Sequence, residues 1–193
     1  MKIRYLAVLA LSTSTLVGCG GNATTQPATD SATVAAPQAQ QSDKITLVSV
    51  PQIIAISDNR GQISQAALNE CTLTTQYTQL LQEQAQDDGI QVNVVNSQEP
   101  TANGYFLKPT FTQIHSGGNA FIGHRKYTQM HMVLYKDGQK MAEADFGRVS
   151  GGGFFGGYKG SCSVLGRTVE ANAKDTVMWL NSPVDGARFG DLN

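Results

Sequence analysis

The residues of this chain whose types could do chemistry are few: three histidines, three cysteines, and the cations and aromatics set in two glycine-rich stretches. The stretches are Phe121-Ile122-Gly123-His124-Arg125-Lys126 and Phe154-Phe155-Gly156-Gly157-Tyr158-Lys159, which share the spacing FxGxxK. Glycine permits unusual backbone angles and close approach of another molecule. Phe121, Phe154, Phe155 and Tyr158 supply apolar contact there, and His124, Arg125, Lys126 and Lys159 supply polar and cationic contact. Two readings stand side by side. Either the stretches form a partner-binding surface, or the glycines only shape tight turns and the phenylalanines fold back into the core.

Catalytic alternatives fail on context. Gly151 to Gly156 matches the dinucleotide pattern GxGxxG, but the helix expected after it begins about five residues too late and no first βαβ unit surrounds it. Gly157-Tyr158-Lys159-Gly160-Ser161 approaches a phosphate loop, yet Tyr158 stands where a glycine must precede the lysine. His115, His124 and His131 have no metal-site spacing with one another or with cysteine, and His124 and His131 have opposite parity along one strand. The GxSxG motif of serine hydrolases is absent. The sequence therefore predicts no enzyme, no nucleotide, no cofactor and no metal.

The third cysteine of interest lies at the amino terminus. Lys2 and Arg4 form a basic region, Tyr5 to Leu11 is apolar, and Ser12 to Thr15 is small and polar before Leu16-Val17-Gly18-Cys19. That is the tripartite pattern of a secretion signal. Its apolar stretch is shorter than the roughly 20 residues a transmembrane helix needs. Leu16 to Cys19 resembles the lipobox of bacterial lipoproteins. The resemblance implies that residues 1–18 are removed and that Cys19 carries diacylglycerol on its sulfur and three acyl chains in all. Each buried methylene contributes roughly 0.8 kcal/mol, and more than one chain gives stable anchoring. Gly20 follows, where Asp would resemble an inner-membrane retention signal, so the expected location is the outer membrane with the folded part facing the periplasm.

Residues 19–43 read as a lipidated, disordered tether. Ala, Thr, Gln, Ser and Pro dominate, with Asp30 and Asp43 the charges, too little apolar surface to offset chain entropy of roughly 1–2 kcal/mol per residue. A coil of that length spans on the order of 25–30 Å. Residues 44–183 then form a single domain and residues 184–193 a tail. The net charge of −1 falls to −3 when Lys2 and Arg4 leave, which argues against a nucleic-acid partner. With Cys19 lipidated, Cys71 and Cys162 are an even pair in an oxidising compartment, and a disulfide between them is expected. No CxxC suggests redox catalysis.

The elements that must position these residues follow from periodicity. Ile45 to Ile56 reads as a buried strand, and Leu73 to Asp87 as a helix stopped at Gly89. Residues 63–71 fit either an extra helical turn or a loop. Ile90 to Val95 is a short strand, and Tyr105 to Ile114 is a strand that Pro109 marks as an edge or bulge. Lys126 to Tyr135 alternates with Met130, Met132 and Leu134 on one side, and Asp137-Gly138 makes a hairpin into Met141 to Val149. Cys162 to Asn181 carries a helical apolar stripe, with Ser161 or Ser163 as its cap. The predicted fold is α+β: a small mixed sheet of about five strands with two helices on one face, in the order β-α-β-β-β-β-α. The hairpin turn sends both FxGxxK stretches to the opposite end of the sheet. A disulfide at both helix starts further requires the first strand to run parallel to the second, third and fifth.

Ser150 to Arg167 and Gly118-Asn-Ala-Phe-Ile-Gly-His124 resemble loops of an uncharacterised proteobacterial envelope lipoprotein family. The resemblance covers about residues 44–182. It implies a distant fold similarity to the curli-secretion lipoprotein and to the amino-terminal domain of the Tol–Pal propeller protein, and it implies no activity. Unlike those larger relatives, this chain has only Asn96 to Gly104 between its second and third strands, too little for another helix. The sequence thus points to an anchored module that binds or supports an envelope protein. The alternative is a subunit of an outer-membrane export or assembly complex. Cys19→Ser should leave an uncleaved precursor that takes up no labelled palmitate; a variant that still matures with label would refute the anchor.

Overall fold

The computed structural model describes residues 44–119, 123–151 and 160–192. The signal segment, Cys19, the tether, Phe121, Phe154, Phe155, Tyr158 and Lys159 lie outside them. The described elements are β1 (Leu47–Pro51), β2 (Ala55–Ile56), α1 (Gln65–Glu70), α2 (Leu73–Asp87), β3 (Gln91–Val95), β4 (Tyr105–Asn119), β5 (Gly123–Lys136), β6 (Gln139–Gly151), α3 (Ser161–Asn181) and β7 (Ala187–Gly190). They build an α+β fold on one sheet of order β3-β1-β4-β5-β6-β7, with β2 paired to β4. β1 is parallel to β3 and β4, β4 to β6 form an antiparallel meander, and β7 is parallel to β6. Residues 96–104 carry the chain from the end of β3 back past β1 to the start of β4. Gln98 Nε2 donates to Ile53 O over 2.6 Å and Gly104 N to Asp137 Oδ1 over 2.7 Å, so this short return is pinned at both ends.

The core lies between one face of the sheet and the long helices. Met130, Met132 and Leu134 of β5, Ala142, Ala144 and Phe146 of β6, and Val48 and Val50 of β1 are buried on that face. Leu73, Tyr77, Leu81 and Ala85 of α2 and Leu165, Val169, Ala173, Val177 and Leu180 of α3 meet them. α2 and α3 run side by side in the same direction: Cys71 and Cys162 join their starts, and Asn181 Nδ2 reaches Asp88 Oδ1 at 3.3 Å near their ends. Gly89 closes α2 with φ of 73°, and Ile90 N donates to Ala85 O. Residues 63–71 resolve into the short helix α1, capped where Ser64 Oγ accepts from Ala67 N. At α3 the cap is Gly160, which gives no side-chain bond, so neither Ser161 nor Ser163 has the expected role.

Strand number departs from the expected five in two places. The run Ile45 to Ile56 is not one strand. After Pro51, Gln52 and Ile53 bow outward so that Ile54 can bury and donate to Thr74 O of α2 at 3.1 Å, and β2 then resumes against β4. Pro109 sits opposite this break. β1 pairs with β4 only as far as Phe106, and β2 starts at Thr110, so the missing proline N–H falls where no described strand could accept from it. The bulge comes slightly later, between Phe111 and Gln113.

Residues 184–193, expected as a tail, instead supply β7. Phe189 stacks on Phe146 with ring centroids 4.9 Å apart, and Trp179 Nε1 donates to Val184 O at 3.0 Å. Four residues are too short a run for periodicity to reveal. The chain then turns at Gly190, whose φ is 76°, and Asp191 N donates to Gly147 O over 2.6 Å. A Cβ at Gly190 would meet the Gly147 carbonyl oxygen. Gly190→Ala should therefore cost about 1–3 kcal/mol, read as a lower denaturant midpoint with faster exchange of the 187–192 amides. An unchanged midpoint would show that the dock does not depend on this backbone angle.

Candidate functional site

Strand register decides which chain segments share an end. β4 and β5 pair out to Asn119 opposite Gly123, and β5 and β6 pair out to Arg125 opposite Gly151. Asn119, Gly123 and Gly151 therefore lie at the same end of the sheet. At the far end Asp137 and Gly138 have φ of 51° and 78°, both left-handed as a two-residue type I′ hairpin requires. Behind the second connection, α3 begins at Ser161, and Cys162 is disulfide-bonded to Cys71 with Cα atoms 5.3 Å apart. The disulfide fastens the first turn of α3 to the α1–α2 junction.

Of the proposed contact residues, Arg125 is exposed, while His124 takes a backbone place opposite Gly118 in β5. Lys126 departs from the expected surface role. It is 1% exposed, and its Nζ lies 2.8 Å from Ser116 Oγ and 3.4 Å from Gly117 O. Burial pulls its pKa below the ordinary lysine value, and the charge of Glu70 opposes that pull. The alternation of β5 contained the signal, because Lys126 has the parity of Thr128 and Met130, which face the helices. Phe121, Phe154, Phe155, Tyr158 and Lys159 lie outside the described residues.

Sequence reasoning missed a polar seam between α3 and the sheet. Thr128 Oγ1 donates to Thr168 Oγ1 at 2.8 Å and accepts from Asn172 Nδ2 at 3.0 Å. Farther along α3, Thr176 Oγ1 lies 2.9 Å from the Tyr77 hydroxyl, whose pKa burial pushes far upward. Arg148 of β6 grips the buried Asp175 through Nε and Nη2, each at 2.6 Å, and this bond raises the arginine's pKa. In the sequence Thr168, Asn172 and Thr176 lie beside the apolar stripe of α3. Their partners lie on other elements, so no local pattern announces them. The seam bonds chiefly within itself, and the buried Asn172 Oδ1 has no hydrogen-bond partner among the described residues.

The other face of the sheet is open and charged. His131 Nδ1 is 3.0 Å from Asp145 Oδ1, Lys140 Nζ is 2.6 Å from Glu143 Oε2, and Arg188 Nη1 is 3.9 Å from Asp145 Oδ2. Exposed pairs of this kind contribute roughly 0–1 kcal/mol each. Towards the loop end the face dips into a hollow lined by Gln113, His115, Arg125, Tyr127 and Val149. Tyr127 is covered there by the docked C-terminal residues, and burial raises its pKa. No group of three or more His, Cys, Asp or Glu among the described residues is placed to hold a metal ion. No helix among them is long and apolar enough to cross a membrane.

No protein-family model and no curated protein matches the sequence. Among solved structures, the chain is similar to a minor lipoprotein of Acinetobacter baumannii at 8% identity and TM-score 0.46, over 71% of this chain and 91% of that one. It is similar to PelC of Paraburkholderia phytofirmans, a dodecamer, at 11% identity and TM-score 0.41, over 68% and 89%. A Xanthomonas campestris protein of the DUF330 family aligns at 11% identity and TM-score 0.45, over 70% and 83%.

The disulfide closes a separation of 91 residues. Replacing both cysteines by alanine should lower stability by about 3–5 kcal/mol in non-reducing denaturant titrations. Equal midpoints for the two proteins would mean that the bond adds nothing to the packing of α2 on α3.

Proposed function

We propose that this chain is a lipid-anchored module of the outer membrane that binds or supports another protein of the cell envelope. What supports this reading is that the strand ends flanking the two glycine-rich stretches, Asn119, Gly123 and Gly151, share one end of the sheet, where Arg125 pairs with Gly151. Asn119 and Gly151, roughly 110 Å of extended chain apart, share that end because the meander folds them together. Arg125 stands exposed at that end, and the neighbouring hollow offers amide, imidazole and guanidinium groups. The disulfide fastens the first turn of α3 to the α1–α2 junction. Such an arrangement recognises a partner by shape and polar contact.

The lipobox resemblance at Leu16 to Cys19 supports the anchor, and the polar composition of residues 20–43 suits a spacer between membrane and domain. A photoreactive amino acid at Arg125, activated in intact cells, should yield one dominant adduct with a heterologous envelope protein. Adducts of the chain with itself would favour a ring-forming subunit of an export or assembly complex. Absence of any adduct at normal expression would count against the module reading.

A further inference from the structure

The backbone of β4 carries a binding feature that its side chains do not. Along the side facing away from β5, β4 is covered first by β1, at Tyr105 and Phe106, then by β2, at Thr110 and Phe111. The last cover is a single parallel bridge from Ile63 to Ile114. There Ile114 N donates to Gln62 O and Ile114 O accepts from Ser64 N, at 3.0 and 2.8 Å. Both main-chain groups of Ile114 thus point away from β5, which makes Ile114 and Thr128 a non-hydrogen-bonded antiparallel pair. Hydrogen-bonding direction alternates along a strand, and the register with β5 is regular from Gln113 onward. Ser116 opposite Lys126 and Gly118 opposite His124 are therefore also non-hydrogen-bonded pairs. Their N–H and C=O groups point outward too. The 2.8 Å approach of Ser116 Oγ to Lys126 Nζ agrees, because side chains stand closest in such pairs.

After Ser64 the covering chain leaves for α1, and among the described residues nothing bonds to the outward groups of Ser116 or Gly118. A sheet edge that no described residue covers is a template for a further strand. Gly117 and Gly118 put no bulky side chains along it, the condition under which another backbone can come close. A hollow lined by Gly61, Gln62, Ile63, Ser64, Gln113 and His115 lies where the chain's own cover ends, at the mouth of the open edge. Neither this hollow nor the adjoining one at Arg125 is lined by Asp or Glu.

We propose that the edge of β4 from His115 to Gly118 is a strand-addition site, which takes an extended, acidic peptide segment of a protein partner. The added segment continues the line of Gln62–Ser64 and hydrogen-bonds to Ser116 and Gly118, while Arg125 and His115 face its carboxylates. A second copy of this chain is a poorer occupant. Edge-to-edge pairing of two copies would bring the Arg125 of each toward the other, with no Asp or Glu lining either hollow. The proposal rests on the binding-module reading and names how that module holds its partner.

Gly118→Pro separates the two. It removes only an N–H that β5 does not use, so the fold should keep its melting temperature, as edge prolines allow. Gly117→Pro would instead remove an N–H directed at β5 and should destabilise the hairpin. With the photoreactive residue moved to His115, crosslinks in intact cells should map to one contiguous linear segment of one partner. That segment, synthesised as a peptide, should bind the full chain and lose affinity at least about tenfold with Gly118→Pro. Binding unaffected by Gly118→Pro, or crosslinks scattered over several segments, would overturn strand addition while leaving a partner captured at Arg125 intact. No adduct at either position would remove both proposals. An oligomer of the chain that Gly118→Pro dissolves would assign the edge to self-pairing instead.

Discussion

The bond between Cys71 and Cys162 sets the direction of almost everything around it. It requires both long helices to begin at one end of the sheet, and each of them follows a strand. β1 must therefore finish at the end where β6 finishes. The meander makes β6 parallel to β4, so β1 is parallel to β4 as well. β3, entered from the far end of α2, has no choice but to run with β1. The cost falls on residues 96–104, which must return along the sheet with fewer residues than the dozen or more typical of parallel crossovers. They can do so because the strand they pass, β1, spans only Leu47–Pro51.

How α3 sits on this sheet is decided by a different class of force. Apolar burial of Leu165, Val169, Val177 and Leu180 holds the helix down but is indifferent to small rotations about its axis. The hydrogen bonds of Thr168, Asn172 and Thr176 and the two-pronged grip of Arg148 on Asp175 are directional, and they fix one rotation. Losing one member of a buried ion pair costs about 3–5 kcal/mol, whereas replacing both by packed apolar groups is often neutral. The seam therefore specifies the arrangement more than it stabilises it. Its upper neighbour, Lys126, belongs to the same interior face, and it ties β5 to the open stretch of β4 through Ser116.

Much of this was legible in the residues. The α2 bounds, the Asp137-Gly138 turn, the inward row Met130, Met132, Leu134 and the parallel course of β1 follow from period, turn chemistry and the cysteine pair. What escaped was whatever depended on contacts remote in sequence. Ile45 to Ile56 carries a continuous β signal, and only the pull of Thr74 on Ile54 explains why it breaks. Pro109 looked like an edge marker and is tolerated inside the sheet because of that same break. β7 has two inward residues, Ala187 and Phe189, below the length at which alternation means anything. Lys126 was assigned by its place in a motif, although its parity already counted against a surface role. The FxGxxK stretches could be brought to one end on paper, but which of their backbone groups stay unpaired depends on the register with Ile63, and a sequence does not print that.

The late position of β7 has a further meaning for how the protein comes into being. A polypeptide is made amino terminus first, and β6 is complete some thirty-five residues before its outer neighbour exists. Throughout that interval β6 is a long bare rim, able to zip onto any extended chain in reach. Cys71 waits still longer for its mate, since 91 residues separate the two thiols. Phe189 and Leu192 thus reach their places against β6 only after α3 has been delivered. A chain that lacked residues 184–193 would leave this rim of β6 bare for good.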